Sequence, residues 1–444
     1  RGDGHHEYSD FNTQTINALM SVRVTEADTV TVKVINNNLH TALPFRYSLN
    51  QFLLNPYQQG CHTAATAAPG CVTQNFSATG AAPFTPQTAE QSGASRDDRR
   101  TIVGTRWEHK FDADTAWRVQ YIADDRNIRQ PTSTTSGKGD FFSHNLLTDF
   151  SQQSTLAGLP ATFMIAGFWN YLPVDSDSYR VAPGGGAHHG VRTQNSEGST
   201  TNFGMRAREE IHVTSDLIAV AGIGIEKTNL EGTNTNLNAA GAATSIVSAD
   251  RSFVNVAPEI GLLYQPNKEW QVRARIGTGY GTPQFSNLFV TPDGASGNNT
   301  ELEPQRNTGY DLGFDWTPSA GLSVSVTGFY EFFKNELVSQ ATPVGAANGS
   351  YTFNAPASEH RGIEASLDWR PFGGWRLTGV YTLNDQIYTD YSETLRNGAT
   401  IRTFDRAGNK IPGVAPNEVT ARLSYDERSG ALKGFGAFVE YQWR

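Results

Sequence analysis

Tyr310-Asp311-Leu312-Gly313-Phe314-Asp315-Trp316 runs into Thr317-Pro318-Ser319-Ala320-Gly321 and returns as Leu322-Ser323-Val324-Ser325-Val326-Thr327-Gly328-Phe329-Tyr330. Successive side chains of a strand point to opposite faces, so Leu312, Phe314 and Trp316 share one face while Asp311, Gly313 and Asp315 share the other. Such a hairpin is oily on one side and wet on the other. It suits either a soluble sandwich, with the oily side against a second sheet, or a membrane barrel, with the oily side against lipid. Strands of about ten residues, with short turns at one end and long loops at the other, favour the antiparallel transmembrane β-barrel.

The same rhythm runs the length of the chain. It predicts eight hairpins, hence roughly sixteen strands, pairing 15–24 with 29–37, 99–111 with 116–126, 140–151 with 161–172, 198–213 with 216–228, 252–264 with 269–281, 306–317 with 321–334, 358–370 with 374–385 and 415–427 with 432–444. Turn signals such as Glu26-Ala27-Asp28, Asp112-Ala113-Asp114, Gln265-Pro266-Asn267-Lys268 and Phe372-Gly373-Gly374 sit inside the hairpins. Long polar loops are expected between hairpins, the longest over about 39–98. Loops of that length normally carry function.

Each strand repeats the two-faced pattern. Ile363, Ala365, Leu367 and Trp369 alternate with Glu364, Ser366 and Asp368; Val272, Ala274 and Ile276 alternate with Arg273 and Arg275; Phe203, Met205 and Ala207 alternate with Arg206 and Arg208. A lipid-facing Arg or Lys near mid-bilayer costs ~2–4 kcal/mol, so Arg206, Arg208, Arg273, Arg275, Asp311, Asp315, Glu364 and Asp368 are expected to line the lumen. There they are placed either to hold a polypeptide inside the barrel or to pair with one another across neighbouring strands. Trp107, Trp117, Trp270, Trp316, Trp369 and Trp375 all fall close to short turns, as a girdle at a membrane interface would.

Composition narrows the function classes. Charged residues are 18 % of the 444, and the net charge of −9 lacks the basic stripe a nucleic-acid partner needs. No run of eighteen apolar residues offers a membrane helix; the longest apolar run, Leu217 to Ile225, has the length of a membrane strand. The elbow, metal-protease and phosphate-loop motifs of enzymes are absent, and Gly277, Gly279 and Gly281 lie in a strand, where their expected role is to let it bend or a neighbour approach. Neither an enzymatic role nor a cofactor is therefore expected. Cys61 and Cys71, both in the long first loop, are spaced for a loop-closing disulfide, the alternative being two unpaired thiols. His188 and His189, in a Gly-rich stretch, are a candidate ligand contact; adjacent imidazoles diverge and no third ligand is near, so no metal site is assigned to them or to His5 and His6.

Two regions go beyond a generic barrel. Gly279-Tyr280-Gly281-Thr282-Pro283-Gln284-Phe285-Ser286-Asn287-Leu288-Phe289, followed by Leu302-Glu303-Pro304 and the strand opening Gly309-Tyr310-Asp311-Leu312-Gly313, resembles the TonB-dependent outer-membrane receptor family, with Asp311 in place of the usual Glu. Phe329 to Val338 and His360-Arg361-Gly362-Ile363-Glu364 look like the same family, so the specific likeness covers about 279–385. The resemblance implies a twenty-two-stranded barrel in the bacterial outer membrane, plugged by an N-terminal domain and driven through the TonB-ExbB-ExbD complex. Residues 1–444 are then expected to be part of that barrel, about the fourth to the nineteenth strand, without plug or closing strands.

The implied cargo is a ferric siderophore, the alternatives being cobalamin, haem or an oligosaccharide. A passive porin and a soluble adhesin are the other two readings. Loop aromatics expected at the rim are Phe45, Tyr47, Phe52, Tyr57, Tyr179, Phe285, Phe289, Tyr351 and Tyr388.

Overall fold

The computed structural model describes residues 1–59, 73–346, 348–397 and 400–444. Sixteen strands form one antiparallel sheet in which each pairs with its neighbour along the chain. They are β1 Phe11–Arg23, β2 Asp28–Ala42, β3 Ser95–Lys110, β4 Thr115–Thr132, β5 Thr135–Leu156, β6 Leu159–Val181, β7 His189–His212, β8 Leu217–Leu237, β9 Ala243–Tyr264, β10 Trp270–Gly281, β11 Gln305–Ser319, β12 Leu322–Ala341, β13 Ser350–Trp369, β14 Trp375–Asp390, β15 Asn417–Asp426 and β16 Gly436–Trp443. Among the described residues, β1 and β16 each pair on one side only. Cys61 and Cys71 lie outside the described residues.

The eight hairpins fall where the turn signals put them, but the strands are longer than expected. β4 and β5 pair up to Thr132 and Thr135, across a stretch read from the sequence as loop. β6 with β7, β8 with β9, and β12 with β13 extend through 173–197, 229–251 and 335–357 in the same way. At ~3.3 Å per residue these strands far exceed the ~25 Å apolar band, so their upper halves stand clear of the lipid as paired ribbons. Polar composition hid them: Thr, Ser and Asn stand on both faces there, and the regular apolar half of the alternation disappears.

Register settles the faces. Opposite residues share a face, and the row Arg275, Asp311, Phe329, Gly362 runs across β10 to β13 beside the row Ile276, Tyr310, Tyr330, Arg361 on the opposite face. All eight candidate lumenal charges lie on the first face; Leu312, Ile276, Ile260, Leu262, Ile223 and Met205 lie exposed on the other. The expected tryptophans are on the apolar face too. Trp270 stands opposite Trp316 with centroids 5.6 Å apart, and Trp375 packs on Tyr425 at 5.0 Å.

The ladder between β9 and β10 stops short. β9 and β10 pair only over Glu259–Tyr264 and Val272–Gly277. The break falls at Pro258, which has no N–H to give. Its carbonyl accepts instead from the Thr278 hydroxyl at 3.4 Å. Beyond this point β10 leaves the edge of β9 and steps across its inner face. The Tyr280 hydroxyl reaches Glu226 on β8 at 2.8 Å, and the Arg306 guanidinium reaches the Val254 carbonyl at 3.4 Å. The three alternating glycines lie in β10 where this step occurs.

Candidate functional site

The inner wall is a chain of ion pairs. Arg118 meets Asp149 at 2.6 Å, Arg208 meets Glu210 at 2.9 Å, and Arg275 reaches Glu259 at 3.0 Å and Asp311 at 3.9 Å. Arg273 binds Asp315 and also donates to the hydroxyls of Ser325 (3.1 Å) and Thr327 (2.6 Å). Asp368 takes Arg376 at 2.7 Å and Arg370 at 3.4 Å. Most of these pairs join adjacent strands of one face, whereas Arg208–Glu210 and Arg370–Asp368 join side chains two residues apart along the chain. Arg206 and Glu364 have no ion-pair partner among the described residues.

Above the step in β10, residues 282–304 fold back over the inner wall. Phe285, Leu288, Phe289 and Leu302 are buried with Leu230, Val247, Ala249 and Phe253 of β8 and β9. Arg251 fastens the loop by donating to the carbonyls of Asn299 (3.1 Å) and Leu302 (2.9 Å). On the far side Asn287 and Asn299 donate to the hydroxyl and carbonyl of Thr352. The loop is a fixed shelf across the mouth. Phe285 and Phe289, expected at the rim, form its interior.

The other expected rim residues scatter. Tyr47 donates to the Pro56 carbonyl at 3.0 Å and stacks on Phe52, which sits exposed on the helix Leu49–Leu54. Tyr57 is exposed and meets His5 edge-on. Phe45 is buried with Phe76. Tyr179 and His189, expected in a loop, lie on strands and stack face to face at 4.2 Å; His188 is exposed beside them. Tyr351 and Tyr388 are also on strands, where Tyr388 packs on Tyr391 at 4.6 Å and Phe353 bridges Tyr391 to Tyr351. Burial pushes the Tyr391 phenol up to about 12.

A family profile described as "TonB dependent receptor-like, beta-barrel" matches residues 36–444. The chain belongs to that family. It is the barrel of a TonB-dependent receptor and resides in the bacterial outer membrane. A curated relative, the iron-regulated outer membrane virulence protein of Vibrio cholerae, is 26% identical over 142 residues, 28% of this chain and 22% of that protein. The fold is similar to that of the alcaligin outer-membrane receptor FauA of Bordetella pertussis (TM-score 0.62, 16% identity, 98% of this chain and 61% of that one). It is also similar to the ferric-catecholate import receptor Fiu of E. coli K12 (TM-score 0.68, 15% identity, 95% and 63%). The chain thus spans about three fifths of those two receptors.

Two features of this receptor barrel went unread in its sequence. The first is an aromatic belt higher on the lipid face, where His144 lies among Tyr121, Phe142, Trp169 and Tyr171 and bonds the Tyr121 hydroxyl at 2.7 Å. Its signal is parity, since Tyr121 and Trp169 lie on the same face as the Trp girdle. The second is the shelf, whose signal is Pro258 inside a strand.

Proposed function

We propose that the receptor containing this chain captures a ferric siderophore outside the cell and imports it with energy delivered through TonB-ExbB-ExbD to a plug domain. Family membership carries the reading, supported by the likeness to an alcaligin receptor and a ferric-catecholate receptor and by an iron-regulated relative. The exposed aromatics Phe52 and Tyr57 and the half-buried Tyr351 and Tyr388 offer flat, amphipathic surfaces to a bulky chelate. Lumenal charges such as Arg273, Arg275, Asp311 and Glu364 face the space a plug would occupy. The pairing of Arg273 with Asp315 and of Arg275 with Glu259 and Asp311 keeps an aqueous wall ordered.

The test is growth rescue. A strain lacking the gene, and one lacking TonB, are supplied with iron as different siderophore chelates under iron starvation. Gene-dependent and TonB-dependent growth on one chelate is expected. Rescue confined to cobalamin, haem or an oligosaccharide overturns the cargo, and uptake that persists without TonB supports a passive pore instead.

A further inference from the structure

β9 stays paired to β8 in unbroken register from Tyr264 up to Ser245, but it loses β10 at Pro258. Gln265 donates its N–H to the Asp216 carbonyl at the foot of β8, whereas the Pro258 and Val254 carbonyls accept from side chains of β10 and β11. The N–H and C=O of one strand residue point the same way and successive residues alternate, so the odd-numbered residues of β9 serve β8 and the even-numbered ones face the far edge. Along that edge Ile246, Ser248, Asp250 and Ser252 make no backbone hydrogen bond among the described residues. The stretch stands above the outer-face row Trp169, Phe203, Lys227, Val254, where aromatic rings and a lysine mark the upper membrane boundary. It therefore lies outside both lipid and lumen. A bare edge is a template for a further strand, and proteins blunt such edges with proline, lysine or a bulge. Residues 246–256 contain none of these. Ile246 is 66% exposed on this edge. Beside it Asp250 stands directly opposite Glu231, and Glu197 opposite Asp175, all four exposed on the outer face and without an ion-pair partner among the described residues. Like charges directly opposite destabilise a sheet, so a cation placed next to them is favoured.

We propose that the edge of β9 from Ile246 to Ser252 docks an extended, lysine- or arginine-bearing segment of another protein outside the cell, added to the sheet as a further strand. Backbone hydrogen bonds supply the affinity, and a basic side chain beside Asp250 supplies the preference. A second copy of this chain fits poorly, because two such edges paired about a two-fold axis near Asp250 bring like carboxylates together. The inference is independent of the cargo, since it uses neither the mouth nor the lumen.

The probe is a fluorescent nonapeptide of alternating threonine and valine with lysine at its centre, titrated by anisotropy against the purified full-length receptor, with heat-modifiable migration as the check on folding. Saturable binding is expected. It is lost when alternate peptide amides are N-methylated, and it weakens about tenfold when glutamate replaces the lysine, the loss of one charge-assisted contact. Ser248→Pro removes an outward N–H and none of the bonds to β8, so it abolishes binding while the barrel still folds. Asp250→Lys reverses the preference, toward the glutamate peptide. Absence of saturable binding to the wild type overturns the proposal, as does equal binding by S248P or by the N-methylated peptide. An unchanged preference in D250K removes the cationic partner and the proposal with it. If Ser248→Cys gives disulfide-linked receptor dimers in membranes that the peptide does not prevent, a second copy covers the edge and the proposal fails.

Discussion

Phe285 lies over Gly232 so closely that a Cβ on the glycine would stand 2.6 Å from the Phe285 Cε2 carbon. The glycine opposite, Gly198, is equally close, at 2.7 Å, so the two form a seat for one aromatic ring on the inner wall. Gly232→Ala is expected to unseat the shelf, since the added methyl has no room and the backbone there, at φ +156, already disfavours a side chain. Phe285→Ala removes the same contact from the other side, at about 3–5 kcal/mol for a buried Phe. Hydrogen exchange in the intact receptor should show 282–304 losing protection in both variants while β11 and β12 keep theirs. Protection that survives G232A refutes the seat.

Arg273 ties three strands together through Asp315, Ser325 and Thr327. The pair is about one-third exposed, so its worth is modest. Arg273→Ala is expected to lower the urea-unfolding free energy by about 1–2 kcal/mol, because the Asp315 carboxylate loses its counter-charge. Asp315→Asn in the same background should restore part of that. A double-mutant coupling of zero means that the two side chains act independently.

The face assignment has its own check. Leu312 is 64 % exposed on the apolar face, and Ser325 lies on the charged one. Leu312→Arg should cost ~2–4 kcal/mol in refolding into lipid vesicles, and Ser325→Arg much less. Equal penalties contradict the register.

The shelf carries a pH sensitivity. The Asp293 carboxylate accepts from the Thr291 hydroxyl at 2.5 Å and from the Ala295 N–H at 3.2 Å, which holds its pKa below the ordinary carboxylate value, the Thr291 bond contributing most. A depressed folded-state pKa stabilises the turn above the unfolded carboxylate range, and the effect is lost as pH falls through the folded value. Exchange protection at 291–299 should therefore drop on acidification below the normal Asp range. Asp293→Asn should flatten that response, and a flat response in the wild type disposes of the idea.

Much of this barrel was legible because alternation is local: Leu312, Phe314 and Trp316 against Asp311 and Asp315 assign lipid and lumen without knowledge of any neighbour. Turn residues likewise placed the hairpins, and the aromatic Pro-containing loop with its following strand pointed to the family. Strand lengths were not legible, since above the lipid the Thr, Ser and Asn of β6 to β9 carry no period. Nor was the fate of Phe285, whose identity suits a rim or a core equally. Only the missing N–H of Pro258, the step of β10 across β9 and the paired glycines at 198 and 232 bring a buried seat to that ring. The same step draws Glu226 to Tyr280 and leaves Arg206 unpaired. Alternation chooses a face from one residue to the next, whereas burial and pairing depend on partners fifty or more positions away, which only the folded sheet brings together.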